Sequence, residues 1–509
     1  MNQTRLRLED LRSAFESIPD EVADHGTTPP DPSRVYVVPG HESALNPDTP
    51  IVVGDRGTGK SFWSAALNGQ ATRLVIGRQL KRLKLDQVRV SWGYSSETIN
   101  ERHPSRRVLR KLRDNGCRAE DIWRTVILYQ LAESSGNTFF EGASNWVERV
   151  QRLVNDPEAE EGLLARLDTE LKTIGERHLF VFDALDRLGD NWEEIRPLLQ
   201  GLLRVGLDLR EYRNIRTKFF LRPDMWEDQS IWAFPDASKL THGRVMLEWR
   251  RSDLYGLLWH RLGNDPNAGP VFRLWLDGLG REPFRSVEVD ETTVYVVPEP
   301  LRTQESAQAD LLNTISSPFM GRNRRRGKTY TWLPTHLADA KGQVSPRSFL
   351  VALKEAHKIT VDQYKDSGLL LHYEGIKRGV QKASDIRFAE LREDYPWVRQ
   401  ILEYLRGMTV PASANDLYVR WRENGVVEAI RQDAQDAQEA NDLDDNAHPY
   451  LPPHGLEAVP FGQNEEDALV EAAIEIGVMS RTTDGRLNVP DLFRVAAGIG
   501  RKGGVRAIR

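Results

Sequence analysis

Eight residues, Gly54-Asp55-Arg56-Gly57-Thr58-Gly59-Lys60-Ser61, fit the pattern G-x-x-x-x-G-K-[ST] without a mismatch. The apolar triplet Ile51-Val52-Val53 precedes them, and a helix-compatible stretch from Phe62 to Leu67 follows. A strand, a tight loop and a helix are the context in which backbone N–H groups turn inward around phosphate oxygens and a helix N-terminus adds partial positive charge. The expected phosphate-binding set is Gly54, Arg56, Gly57, Thr58, Gly59, Lys60 and Ser61. Lys60 reaches toward the β- and γ-phosphates, and Ser61 offers its hydroxyl to Mg²⁺.

The 509 residues exceed one ordinary core and imply two to four domains. A net charge of −6 argues against a general polyanion binder but leaves room for a local basic groove. Cys117 is the single cysteine, so no intramolecular disulfide forms, and a reducing cytoplasm is expected. The N-terminus has no apolar signal core, no stretch is apolar enough for a bilayer span, and no membrane association is expected.

Leu8, Leu11, Phe15 and Ile18 recur at helical spacing, and Pro19 ends that helix. Residues 20–34 read as a linker. Val35–Val38, Arg73–Ile76 and Val88–Val90 read as short strands. Helices are expected around Ile122–Leu131, Trp146–Leu153 and Leu163–Leu171. Leu179–Phe182 and Lys218–Leu221 are continuous apolar runs of the kind that form parallel strands buried on both faces. Val245–Leu247 reads as a further strand, followed by a helix capped by Ser252. Pro346 opens another helix, and Trp397 to Leu405 marks one more. Residues 432–466 are acidic and proline-containing and read as a mobile loop. Ala468–Ile476 reads as a helix, and Val478–Val489 as a hairpin around Asp484-Gly485. The expected fold class is therefore α/β. A P-loop parallel sheet spans residues 35–265 after an N-terminal helix and linker, 1–34. A helical lid or insert occupies 266–385, and a winged-helix-like module 386–509.

Asp183 ends a buried strand and is the candidate carboxylate for Mg²⁺; the alternative is a helix N-cap. The position after it is Ala184, where many hydrolysing P-loop ATPases have Glu. Asp186 is the next acidic group and could orient water, or simply pair with Arg187; Asp190 lies further on. Arg222 ends the other buried run, where it could sense a γ-phosphate or bridge to Asp224. Two basic patches remain. One holds Arg106, Arg110 and Arg113 at helical spacing, and the other Arg322, Arg324, Arg325 and Arg326. Either could meet DNA, supply a finger to a neighbouring subunit, or be solvated surface.

The P-loop together with Phe182-Asp183-Ala184-Leu185-Asp186-Arg187 and Phe220-Leu221-Arg222-Pro223-Asp224 resembles the KAP and STAND-like P-loop ATPases of bacteria, within the AAA+/ASCE group. Leu247-Glu248-Trp249, Asp253-Leu254 and Arg261-Leu262 are similar to the segment after the sensor strand in that group. Ser345-Pro346-Arg347-Ser348 resembles the start of a sensor-2 lid helix, which implies that Arg347 closes over the phosphates. Asn488–Leu492 with Arg501-Lys502-Gly503-Gly504 is similar to their winged-helix ends. Arg222 stands where many AAA+ proteins carry Asn, Thr or Ser. The resemblance implies a Mg²⁺-dependent, slowly hydrolysing ATP switch in a bacterial antiphage or conflict system. It would act as a homo-oligomer or with an effector partner. The alternatives are a DNA-binding or DNA-remodelling ATPase of AAA+ type and, third, a small-molecule kinase.

Overall fold

The computed structural model describes residues 8–18, 26–97, 102–443, 450–453, 456 and 465–501. Its centre is a five-stranded parallel sheet of β1 (Ile51–Val53), β2 (Val88–Tyr94), β3 (Arg177–Phe182), β4 (Ile215–Leu221) and β5 (Val245–Met246), in the order β2-β3-β4-β1-β5. The continuous apolar runs read from sequence are the central strands, because both faces of this sheet are covered. Alternate residues feed two separate cores. Val52, Leu179, Val181 and Phe220 pack into one layer, and Ile51, Val53, Phe180, Phe182, Phe219 and Leu221 into the other.

The register sets Val53 beside both Leu221 and Met246, and Phe182 beside Phe219 and Tyr94. The P-loop, Asp183, Arg222 and Leu247 therefore all leave the sheet along its carboxyl edge, where open α/β sheets bind ligands.

Beyond the sheet, helix Pro346–Gln363 packs against helix Tyr373–Asp394. The approach is close because Gly375 and Gly379 lie against the backbone: a Cβ at Gly379 would sit 2.1 Å from the Ala352 carbonyl oxygen, and one at Gly375 2.5 Å from that of Ala356. Helix Tyr373–Asp394 also carries the C-terminal region. The Ser384 hydroxyl accepts from the Ala496 amide (3.1 Å) at helix Asp491–Ala497. In that region helices Ala414–Glu423, Val426–Leu443 and Glu465–Glu475 precede a hairpin of Ser480–Arg481 and Leu487–Asn488, and Ala412 bridges to Leu487. The hairpin turn uses Gly485 at φ +80°.

Several local expectations fail. Val35–Val38 is buried but forms no strand, and Arg73–Ile76 lies inside helix Gln70–Gln79. The three apolar residues Leu74–Ile76 are too short a run to distinguish strand from helix by pattern, and here Thr72, Val75 and Ile76 form one buried helical face. Ser252 does not cap its helix: Arg250 is the N-cap, and the Asp253 carboxylate accepts its amide at 3.0 Å. Residues 432–443 are helical rather than a loop, completing helix Val426–Leu443. The rest of the acidic stretch, except 450–453, 456 and 465–466, lies outside the described residues. So do Pro19, linker residues 20–25 and the Lys502-Gly503-Gly504 tail. The segment between 264 and 345 holds an antiparallel hairpin, Arg285–Val289 with Thr292–Val296. Among the described residues no helix is long and apolar enough to cross a membrane.

Candidate nucleotide-binding site

Along the carboxyl edge of the sheet lies a cavity of about 230 Å³. Its lining includes Arg56, Gly57, Gly59, Lys60 and Ser61 from the P-loop, with Asp183, Ala184, Asp186, Arg222 and Arg347 from three other stretches of chain. The loop adopts left-handed backbone at Gly57 (φ +78°) and Gly59 (φ +104°), which lets it close tightly before helix Lys60–Asn68. Lys60 Nζ donates to the carbonyl oxygens of Gly54 (2.7 Å) and Asp55 (3.1 Å). Burial lowers its pKa, while the carboxylates of Asp183, Asp55 and Asp186 pull the other way.

Gly54 and Thr58, both in the expected phosphate-binding set, do not line the cavity. Thr58 is buried and braces the loop: its hydroxyl donates to the Asp55 carbonyl (2.7 Å), and its own carbonyl accepts from Trp249 Nε1 (2.8 Å). That indole belongs to an aromatic brace invisible in the motif. Trp63 Nε1 donates to His41 Nδ1 (3.1 Å), and His41 Nε2 lies 3.0 Å from the Glu248 carbonyl. Since Nδ1 accepts, His41 is the neutral Nε2–H tautomer. Burial accordingly lowers its pKa to about 4. The brace ties the P-loop helix to the chain leaving β5.

Asp183 is not on the strand next to the P-loop strand, because β4 separates β3 from β1. Its carboxylate nevertheless reaches the P-loop helix, where Ser64 Oγ lies 2.9 Å from Oδ2. Burial raises the Asp183 pKa, while its hydrogen bonds, including those from Ser64 and Ser61, and the Lys60 charge hold it down. Ser64 was not singled out from sequence; its spacing, one helical turn after Lys60, is the only signal. The oxygen set of Ser61 and Asp183 suits a hard divalent cation completed by phosphate and water. Among the described residues no group of three or more His, Cys, Asp or Glu could hold a metal by itself.

After Asp183 the chain turns through left-handed Ala184 (φ +54°) into the short turn Leu185–Arg187, which returns Asp186 to the cavity. Burial pushes its carboxyl up, but Arg222 and Arg187 outweigh this and leave it below the usual range. Asp190 does not line the cavity. It is buried in ion pairs with Arg106 (2.6 Å) and Arg110, and Arg110 also approaches Glu194 (3.7 Å). Arg106 and Arg110 are thus committed inward, a correction to their reading as a free basic patch. Arg113 is half-buried on the same helix. Arg322, Arg324, Arg325 and Arg326 are exposed around a 3₁₀ turn and none lines the cavity.

Arg222 makes both contacts weighed from sequence. It binds Asp224 through two nitrogens (2.5 and 3.2 Å) and Asp186 through a third (3.2 Å), and it lies 4.2 Å from the centre of the Tyr395 ring. Arg347 lines the cavity and donates to Glu390 (2.8 Å). The cavity is also lined by Tyr36, Trp63, Trp249, Leu257 and two arginines, Arg34 and Arg261. Burial and the Arg34 charge lower the Arg261 pKa to about 10, and its buried Nε has no hydrogen-bond partner among the described residues. The resemblance quoted Arg261 only as a sequence likeness; its place in the cavity comes from the fold.

No protein-family model matches the chain, and no curated protein sequence matches it. Solved structures similar to it include the Aeropyrum pernix ORC2 protein in ADPNP–ADP complexes, at 14% identity and TM-score 0.38, covering 95% of this chain and 94% of that one. The Aeropyrum pernix ORC1 protein in complex with DNA is also 14% identical, with TM-score 0.33 and coverage of 94% and 93%. A Walker-type ATPase of Pyrococcus abyssi is 13% identical, with TM-score 0.34 and coverage of 89% and 93%. The α/β assignment here rests on the strand order and the P-loop themselves.

Proposed function

We propose that the chain is a Mg²⁺-dependent ATP-binding switch of AAA+ type that hydrolyses its nucleotide slowly. The observation that carries this is convergence. One cavity gathers the P-loop lysine, the Asp183 carboxylate, Asp186, and arginines from two distant stretches, Arg222 and Arg347. Lys60 and the loop amides would take the phosphates. Ser61 and Asp183 would hold Mg²⁺, which when bound offsets negative charge on the phosphate oxygens. Asp186 would orient the attacking water. Its engagement with Arg222 must loosen for that, which fits slow turnover. The aromatic and apolar part of the lining, Tyr36, Trp63, Trp249 and Leu257, would receive the nucleoside. Arg222 and Arg347 would report the γ-phosphate to the helices behind them. A role in bacterial conflict with a separate effector rests on the sequence resemblance, as does oligomerisation, and a cytoplasmic setting rests on the single cysteine.

The second reading is a DNA-binding ATPase. Its support is the exposed cluster Arg322 and Arg324–Arg326, and the winged-helix-like arrangement of three helices and a hairpin at the C-terminus. Steady-state phosphate release with and without double-stranded DNA, at two salt concentrations, separates the two. A switch shows slow release that DNA does not change. Stimulation that falls steeply with salt would transfer the assignment to the DNA reading. No release and no nucleotide binding would end both.

A further inference from the structure

Two cations around the cavity are already engaged by acids of the same chain, and both acids sit on helix Tyr373–Asp394. Glu390 accepts from Arg347 at 2.8 Å and from Arg387 at 3.1 Å, and Glu393 accepts from the P-loop residue Arg56 at 3.0 Å. Glu390 and Glu393 are one helical turn apart, so they share a face. One residue beyond that helix, Tyr395 stacks on Arg222. Ser345 Oγ donates to the Gly57 carbonyl at 3.0 Å and ties the start of helix Pro346–Gln363 to the loop. The helix bearing Glu390 packs closely on the one bearing Arg347, its backbone meeting that helix at Gly375 and Gly379.

We propose that Glu390, seconded by Glu393, is an intramolecular competitor for the triphosphate: a resident carboxylate that occupies the arginines until nucleotide phosphate takes them. This rests on the ATP-binding reading of the same cavity. Glu390 is the stronger of the two. Its side chain is 12% exposed, against 72% for Glu393, so its pairing is less screened by water. Burial raises its carboxyl pKa, but Arg387, Arg347 and Arg56 overcome that and keep it below the usual carboxylate range.

The exchange has a consequence for the C-terminal region. A bound triphosphate places negative charge beside Glu390 and Glu393 and withdraws Arg56 and Arg347 from them. The end of helix Tyr373–Asp394 next to Tyr395 then loses its attraction to the P-loop. That helix is hydrogen-bonded to helix Asp491–Ala497 through Ser384. Phosphate occupancy is thereby felt by the C-terminal module without direct contact.

The test is calorimetric titration of the full-length chain with Mg-ATP, in wild type, Glu390→Gln, Glu393→Gln, Arg347→Met and the Arg347→Met/Glu390→Gln pair, with Lys60→Ala as the site control. Glutamine keeps the shape and removes the competing charge. Glu390→Gln should bind ATP about tenfold more tightly, and Glu393→Gln, whose exposed site carries little folding risk, about threefold. The Glu390→Gln gain should vanish when Arg347 is already methionine, because the released arginine is what carries it. Unchanged or weaker ATP affinity in both glutamine variants overturns the proposal, as does a gain that survives without Arg347. If wild type binds ATP and Lys60→Ala binds it at least about tenfold more weakly, such a result removes the competitor alone. If wild type itself binds no ATP, the functional reading and the competitor fall together.

Discussion

Removing the Lys60 ammonium should separate binding from folding. Its Nζ donates two hydrogen bonds, to the carbonyls of Gly54 and Asp55. When nucleotide arrives, at least one is exchanged for a charge-assisted bond to phosphate, worth about 1.5–3 kcal/mol. At about 1.4 kcal/mol per tenfold, its loss weakens ATP roughly 10- to 150-fold. Arg56, Arg222 and Arg347 still line the cavity, so some affinity survives. Two effects on stability oppose each other. The carbonyls lose a donor at a cost of about 1 kcal/mol, but the penalty of burying the ammonium, which lowers its pKa, is relieved. Net folding stability should therefore shift by no more than about 1 kcal/mol. Titration calorimetry of Lys60→Ala with Mg-ATP, paired with thermal melts, reads both quantities. An intact melt with ATP affinity within twofold of wild type would refute the phosphate role of Lys60 and the site built on it.

Asp186→Asn keeps an oxygen for Arg222 but cannot draw a proton from water. ATP affinity should stay within about threefold while kcat falls on the order of 100-fold, measured by phosphate release. Normal turnover there, with a defect in Asp190→Asn instead, would mean the wrong aspartate was chosen. For His41 the sign follows from its lowered pKa. The unfolded chain, titrating near 6.5, binds the proton more readily than the fold does at about 4. The stability of the neutral histidine is fully present above pH 6.5 and is lost as pH falls through about 4, by up to about 3 kcal/mol. Melting temperature against pH should thus fall less steeply between those limits in His41→Gln than in wild type. Parallel acid limbs would show that the Trp63–His41–Trp249 brace does not carry this linkage.

The legible part of the site was the part encoded locally. The P-loop announces itself because backbone conformation demands glycine at two positions and chemistry demands Lys60 and Ser61 beside them. The apolar runs ending in Asp183 and Arg222 were legible as strands because burial on both faces leaves no room for a polar alternation. Short segments without that constraint were misread: Arg73–Ile76 took the helix its neighbours extend, and the helix expected to be capped by Ser252 begins earlier, with Arg250 at the cap and Asp253 accepting its amide. Pattern alone could not say whether Arg106 and Arg110 face solvent, because their partner Asp190 lies on a different element some eighty residues away.

What sequence determined by itself was a glycine-rich loop of phosphate-binding pattern at the end of a buried parallel strand, since each requirement of that pattern is met by residues adjacent in the chain. What only tertiary structure decided was the company the loop keeps. β4 intervenes between β1 and β3, yet Ser64 still meets Asp183. Tryptophans and a histidine from three segments brace the loop, and Glu390 and Glu393 hold the arginines that face it. Those contacts join residues tens to hundreds of positions apart, so no window of sequence contains both partners, and only packing selects which charges meet.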